Sequence, residues 1–130
     1  MHSIAQPTDL IISEYIEGSS NNKFIELYNG TAGAINLANY QLRLHANGSV
    51  GVTQSVVLSG SLASGATIVY GNTSSTIYAG AYTPLNTVCN FNGDDAIVLW
   101  EDRTRRLRGY RGKRRLRSRY EPGTMGRAIQ

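Results

Sequence analysis

An all-β domain, a sandwich or a barrel, is what this 130-residue chain predicts, and three observations carry the prediction. Short β-branched and aromatic runs recur at roughly 8–12-residue spacing, separated by Gly-, Asn- and Ser-rich turn signals. Composition leans to Ser, Thr, Asn, Gly and Tyr, with 14 Gly against 3 Pro. No stretch before residue 103 keeps the 3.6-residue apolar period of an amphipathic helix. The length suits one domain with one core.

The elements follow in order. Residues 9–16 are β-branched and aromatic and end at the polar loop 17–22, whose Gly18, Asn21 and Asn22 favour a turn. Residues 23–28 resume the strand pattern, with Phe24, Glu26 and Tyr28 on one face and Ile25 and Leu27 on the other. Asn29-Gly30 closes that run. The two runs read as a hairpin or as strands packed across a sandwich. Further strands are expected over 40–45, 55–58, 67–70 and 95–100. Leu42 and Leu44 alternate with Arg43 and His45 as a half-buried strand requires. The intervening turns carry Asn47-Gly48, Ser64-Gly65, Gly71-Asn72 and Asn92-Gly93.

Charge divides the chain at one point. Up to Asp102, eight carboxylates face only Lys23 and Arg43, a formal −6. From Arg103 onward, ten arginines and Lys113 face Glu121 alone, a formal +10 that brings the total to +4. We therefore read 1–8 as an N-terminal extension, 9–102 as the β domain and 103–130 as a basic segment, either a last strand or a disordered tail. Two origins fit the break: a natural basic extension, or a reading-frame slip that replaced the terminal strand. The encoding DNA decides between them.

Candidate sites are weighed residue by residue. Cys89 is the only cysteine, so no internal disulfide forms within the chain. It lies in the apolar-alternating run 87–91 and is expected to be a packed core thiol. Asp94 and Asp95, beside Asn92-Gly93, are the candidates for a hard cation, since a Gly-bearing turn gathers carboxylates and carbonyls. The alternating ligands of a twelve-residue calcium loop are missing, and Asp and Asn beside Gly also simply build β-turns. Glu14 and Glu26 fit solvent-facing strand positions better than a general acid/base pair, for no nucleophile accompanies them. His2 and His45 are too few for zinc. Gly30-Thr31-Ala32-Gly33 lacks the Gly-Lys-Ser/Thr ending of a phosphate loop. Neither catalysis nor a cofactor is expected. Asn29-Gly30-Thr31, Asn47-Gly48-Ser49 and Asn72-Thr73-Ser74 fit the glycosylation acceptor pattern, which chance supplies often in such a composition.

The basic segment is the strongest electrostatic signal. Arg103, Arg105, Arg106, Arg108, Arg111, Lys113, Arg114, Arg115, Arg117 and Arg119 fall within seventeen residues, with Tyr110 and Tyr120 interleaved or adjacent. Guanidinium forks match phosphate oxygens and stack on bases, so nucleic acid or another polyanion is a candidate partner. Anionic lipid or an acidic protein patch is an alternative partner. A solvated, idle tail is the other reading.

The order of pieces is more specific than the fold class. Ile11-Ile12-Ser13-Glu14-Tyr15, a polar loop, and Phe24-Ile25-Glu26-Leu27-Tyr28-Asn29 resemble the opening of the lamin tail domain family. Ile35-Asn36-Leu37, Tyr40-Gln41-Leu42, Leu62-Ala63-Ser64-Gly65 and Asn90-Phe91-Asn92-Gly93-Asp94-Asp95-Ala96 follow in that family's order, over roughly 9–102. The resemblance implies an immunoglobulin-like β-sandwich. Its bacterial phrasing implies a binding, adhesion or targeting module attached to exported proteins, extracellular nucleases and phosphatases among them, at the cell surface or outside it. Residues 1–9 lack the charged start and apolar run of a signal peptide, so either an exported parent has lost its leader or the domain is intracellular. No run approaches the about 18 apolar residues of a membrane span. The chain departs from the family after residue 100, where an apolar strand gives way to arginines. Three functions result: recognition of a protein or carbohydrate surface through loops 18–22, 46–51 and 72–75; polyanion binding through 103–119; or a part in assembly, as in the filament-bearing animal relatives, although the chain has no heptads.

Overall fold

The computed structural model describes residues 8–77 and 80–102. Nine strands run through them: β1 Leu10–Glu17, β2 Lys23–Asn29, β3 Ile35–Asn36, β4 Tyr40–His45, β5 Gln54–Val57, β6 Ser61–Leu62, β7 Thr67–Gly71, β8 Thr83–Pro84 and β9 Ala96–Glu101. Short 3₁₀ turns cover Leu37–Asn39 and Ala46–Gly48. Among the described residues no helix is long and apolar enough to cross a membrane.

Two sheets face one another. One has the order β1-β2-β7-β8, the other β5-β4-β9, and β3 pairs with β6 in a small ribbon. The first sheet contributes Leu10, Ile25, Leu27 and Tyr70 to the core, the second Leu42, Leu44, Ile97 and Leu99, and all eight belong to one buried cluster. That is the immunoglobulin-like all-β sandwich the sequence predicts. Each fully buried Leu or Ile stabilises it by about 1.5–3 kcal/mol. The alternation that forecast β4 is the alternation of burial: Tyr40, Leu42 and Leu44 are inside, and Gln41, Arg43 and His45 are half-exposed.

β1 and β2 form an antiparallel hairpin, which settles the choice left by the sequence. Its register shifts between Ile12 and Glu14, leaving Ser13 as a bulge. The bulge moves the inward face from Leu10 and Ile12 to Tyr15, whose ring stacks on the buried Phe91 at 4.6 Å between centroids. Ser13 Oγ meanwhile donates to Glu26 Oε1 at 2.7 Å.

On the outer face of the first sheet Phe24 lies opposite Gly71. A Cβ at Gly71 would stand 2.4 Å from the Phe24 ring, so only glycine admits the ring there. Tyr82 packs edge-on against the other side of Phe24, 5.4 Å between centroids. Phe24, which shares its face with Glu26 as the sequence pattern indicates, is therefore buried.

Residues 87–91 differ from the alternating strand that their pattern suggested. The backbone N–H groups of Val88 and Cys89 both donate to the Leu85 carbonyl, winding the segment into a turn. Val88, Cys89 and Phe91 are nevertheless fully buried. Burial pushes the Cys89 thiol up to about 12, so at neutral pH it is protonated and behaves as a core hydrophobe.

Candidate functional site

The strands decide which loops meet. Tyr40 Oη donates to Asp9 Oδ1, which also caps the Leu10 N–H, so β1 and β4 begin side by side. Asp102 N donates to the Asn39 carbonyl at that same end. β1 and β4 consequently finish together at the opposite end. There the described chain places loop 18–22, loop 46–53, the segment after β7 and the turn before β9. The three loops singled out from the sequence thus share one end of the sandwich.

Buried polar side chains hold this end from beneath. Asn22 Oδ1 accepts from Ser75 Oγ at 2.9 Å and Thr76 N at 2.8 Å, joining loop 18–22 to loop 72–77. Asn72 Nδ2 donates to the Cys89 carbonyl, and Asn72 Oδ1 accepts from Ser74 N. Lys23 is buried and its ammonium donates to the Gly18 carbonyl, closing the hairpin loop over itself. Asp95, only 3% exposed, accepts from Asn47 N through Oδ1 at 2.7 Å and from Asn92 N through Oδ2 at 2.9 Å. Gly48 N donates to the Asp94 carbonyl. Loop 46–51 is thereby stapled to the turn 92–95, with Asn47 held at a φ of 54° that Asn tolerates better than most residues.

Above these anchors the tips of loops 18–22, 46–51 and 72–77 carry no charged side chain and are partly aliphatic, with the exposed Asp94 beside them on the turn 92–95. Val50 is 99% exposed, Val52 43% and Ile77 59%. Ser19, Ser20, Asn21 and Asn47 surround them with amide and hydroxyl groups that face solvent. Such a surface offers apolar contact and adaptable hydrogen bonds.

Asp94 and Asp95 lie in the turn 92–95, with Asp94 exposed and both carboxylate oxygens of Asp95 engaged by backbone N–H groups. Among the described residues no three His, Cys, Asp or Glu side chains converge as a cation would require. Glu14 and Glu26 are cross-strand partners on the outer face of the first sheet, in mid-strand. The basic residues Arg103, Arg105, Arg106, Arg108, Arg111, Lys113, Arg114, Arg115, Arg117 and Arg119 lie outside the described residues.

The outer face of the second sheet carries one further cluster. Arg43 Cζ sits 3.9 Å from the centroid of the Trp100 ring, and Arg43 Nε donates to Gln41 Oε1. Burial lowers the Arg43 pKa, and the nearby Asp102 charge opposes that shift.

The anchors Asn22, Asn29 and Asn72 were missed in the sequence, although a signal was there. At the end opposite the loops, Asn29 Oδ1 accepts from Thr31 N, and Asn72 Oδ1 accepts from Ser74 N in the same Asx-turn geometry. Two of the three glycosylation-like triplets are therefore turn signatures whose Asn is buried and hydrogen-bonded.

An immunoglobulin-like β-sandwich with one loop-bearing end defines the class of domain. The model of the lamin tail domain matches residues 3–111, and the chain belongs to that family. The family is one of non-catalytic immunoglobulin-like domains. A search of curated proteins found no matching relative.

Proposed function

We propose that the chain is a recognition module, carried by an exported protein, that attaches its parent to a protein or carbohydrate surface through loops 18–22, 46–51 and 72–77. The observation that supports this reading is the division of labour at one end of the sandwich. Buried Asn22, Asn72 and Asp95 fix the loops from beneath, while Val50 and Ile77 stand exposed at their tips. Preorganised tips lose little entropy on binding.

The test is retention of the full chain on glycan and peptide arrays, beside a variant carrying Val50→Asp and Ile77→Asp. Both substitutions lie on exposed tips, so the melting temperature should hold while retention falls at least about tenfold, the equivalent of 1.4 kcal/mol. Unchanged retention would sink the reading.

A second reading rests on the charge division: a sandwich of formal −6 joined to a segment of +10. In it, residues 103–119 bind nucleic acid or another polyanion. Affinity would fall steeply with salt as condensed counterions are released. A preference among nucleic acids that survives near-physiological salt supports this reading, whereas equal binding to heparin reduces it to generic charge attraction.

A further inference from the structure

We propose that Asn92 is a site of spontaneous covalent modification, converting to aspartate and isoaspartate through a succinimide formed with the backbone nitrogen of Gly93. The chain has three Asn-Gly dipeptides, Asn29-Gly30, Asn47-Gly48 and Asn92-Gly93, and Gly favours this reaction because no Cβ hinders attack by its nitrogen. Sequence alone ranks the three equally. The fold separates them.

Asn29 is fully buried, and its amide is bonded at both ends, donating to Gly33 and Leu62 carbonyls and accepting from Thr31. Its side chain cannot reorient without breaking those bonds. Asn47 is exposed, but the nitrogen that must attack, Gly48 N, is committed to the Asp94 carbonyl at 3.0 Å. The backbone on its other side is also fixed, because Asn47 N donates to Asp95. Asn92 shares the Asp95 grip on its backbone N–H, but its side chain and the attacking nitrogen have neither of the other protections. It is exposed, and among the described residues neither its side-chain amide nor Gly93 N makes a hydrogen bond. A Cβ built on Gly93 meets nothing within 4 Å, so the turn is open on that side.

In the reaction the Gly93 nitrogen attacks Asn92 Cγ, the N–Cγ bond forms, the Cγ–Nδ2 bond breaks, and the Gly93 N–H proton passes to the departing nitrogen, which leaves as ammonia. Water then opens the imide at either carbonyl, supplying the hydroxyl of the new carboxylate and returning a proton to the nitrogen. No oxidant is needed. Opening at one carbonyl gives aspartate; opening at the other routes the main chain through the former side chain and lengthens it by one methylene.

The turn 92–95 is the anchor of loop 46–51, since Asp95 is gripped by Asn92 N and returns its own N–H to the Asn92 carbonyl. An isoaspartyl link there, with a new carboxylate beside Asp94 and Asp95, loosens the staple. That consequence rests on the loop end being the recognition surface; the modification itself does not.

The experiment ages the full chain at mildly alkaline pH, folded and in urea, and follows the three Asn-Gly peptides by mass spectrometry with isoaspartate quantification. In the folded protein Asn92 should convert several-fold faster than Asn47 and Asn29, and in urea the three rates should converge. Gly93→Ala, placed where the added methyl has space, should slow Asn92 several-fold with an unchanged melting temperature. If Asn92 converts no faster than Asn29 in the folded protein, or if Gly93→Ala leaves the rate unaltered, the inference is wrong. Array retention of aged against fresh protein tests the consequence separately.

Discussion

The two ends of the sandwich are built from the same residue types, Asn, Ser, Gly and Thr, and use them in opposite ways. At the end where β2 finishes, the buried Asn29 saturates its hydrogen-bonding capacity. Its Nδ2 reaches the Gly33 and Leu62 carbonyls, and its Oδ1 takes Thr31 N and Thr31 Oγ1. Its backbone locks onto Ala66 and Gly65. Nothing is left over to meet a partner. At the other end Asn22, Asn72 and Asp95 work below the surface and leave Val50, Ile77 and Asn21 exposed at the tips. A polar composition therefore says little about where a β-module binds. What matters is whether the polar groups are consumed by the fold.

Substitutions can break that comparison, and the largest effect belongs to the closed end. Asn29→Ala removes four side-chain hydrogen bonds made by a fully buried amide and should cost about 3–4 kcal/mol in chemical denaturation. Asn21→Ala on a tip should cost under about 0.5 kcal/mol. Equal costs would mean the two ends are not organised differently. Next in size is Asp95→Ala, which frees loop 46–51 and leaves Asn47 N and Asn92 N without acceptors, at about 2 kcal/mol. Hydrogen exchange should show protection lost at Asn47 and Asn92 while β2 stays protected.

Gly71→Ala tests the floor beneath the loops. The added Cβ meets the Phe24 ring at 2.4 Å, and overpacking of this kind costs about 1–3 kcal/mol. A second change to a smaller ring neighbour, Phe24→Leu, should recover part of the loss. The smallest effect is Tyr70→Phe. Among the described residues the buried Tyr70 hydroxyl has no hydrogen-bond partner, so its removal should be neutral or stabilising by up to about 1 kcal/mol.

Alkaline pH gives a related test of the core. Burial raises Tyr70 from 10.0 and Cys89 from 9.0, each to about 12. A raised folded pKa means the folded state holds its proton longer. The associated stability is complete below pH 9 and is lost as pH rises through 9 to 12. Tyr70→Phe together with Cys89→Ala should move alkaline unfolding upward by a measurable fraction of a pH unit.

Most of the fold was legible because its strands alternate in the ordinary way. Leu42 and Leu44 in β4, and Ile97 and Leu99 in β9, point inward at period two as their pattern requires. Two features were hidden for definite reasons. The bulge at Ser13 shifts phase within β1 without a Gly to announce it, so the inward role of Tyr15 depends on pairing with β2. Phe24 is buried on the outer face because Gly71 and Tyr82, distant in sequence, enclose it. The loops were visible as turn signals, but their gathering at one end needed the shared start of β1 and β4. The role of Asp95 as a staple follows from a contact 48 residues away, which spacing cannot reveal.

The most direct measurement compares three full-length proteins on glycan, peptide and nucleic-acid arrays at low and near-physiological salt. They are the unaltered chain, the Val50→Asp/Ile77→Asp variant, and a variant with Arg111→Gln, Lys113→Gln, Arg114→Gln and Arg115→Gln. The account predicts salt-tolerant retention on a glycan or peptide that the loop variant loses and the arginine variant keeps. Salt-tolerant retention confined to nucleic acid, lost by the arginine variant and kept by the loop variant, would contradict it and place recognition in the basic segment.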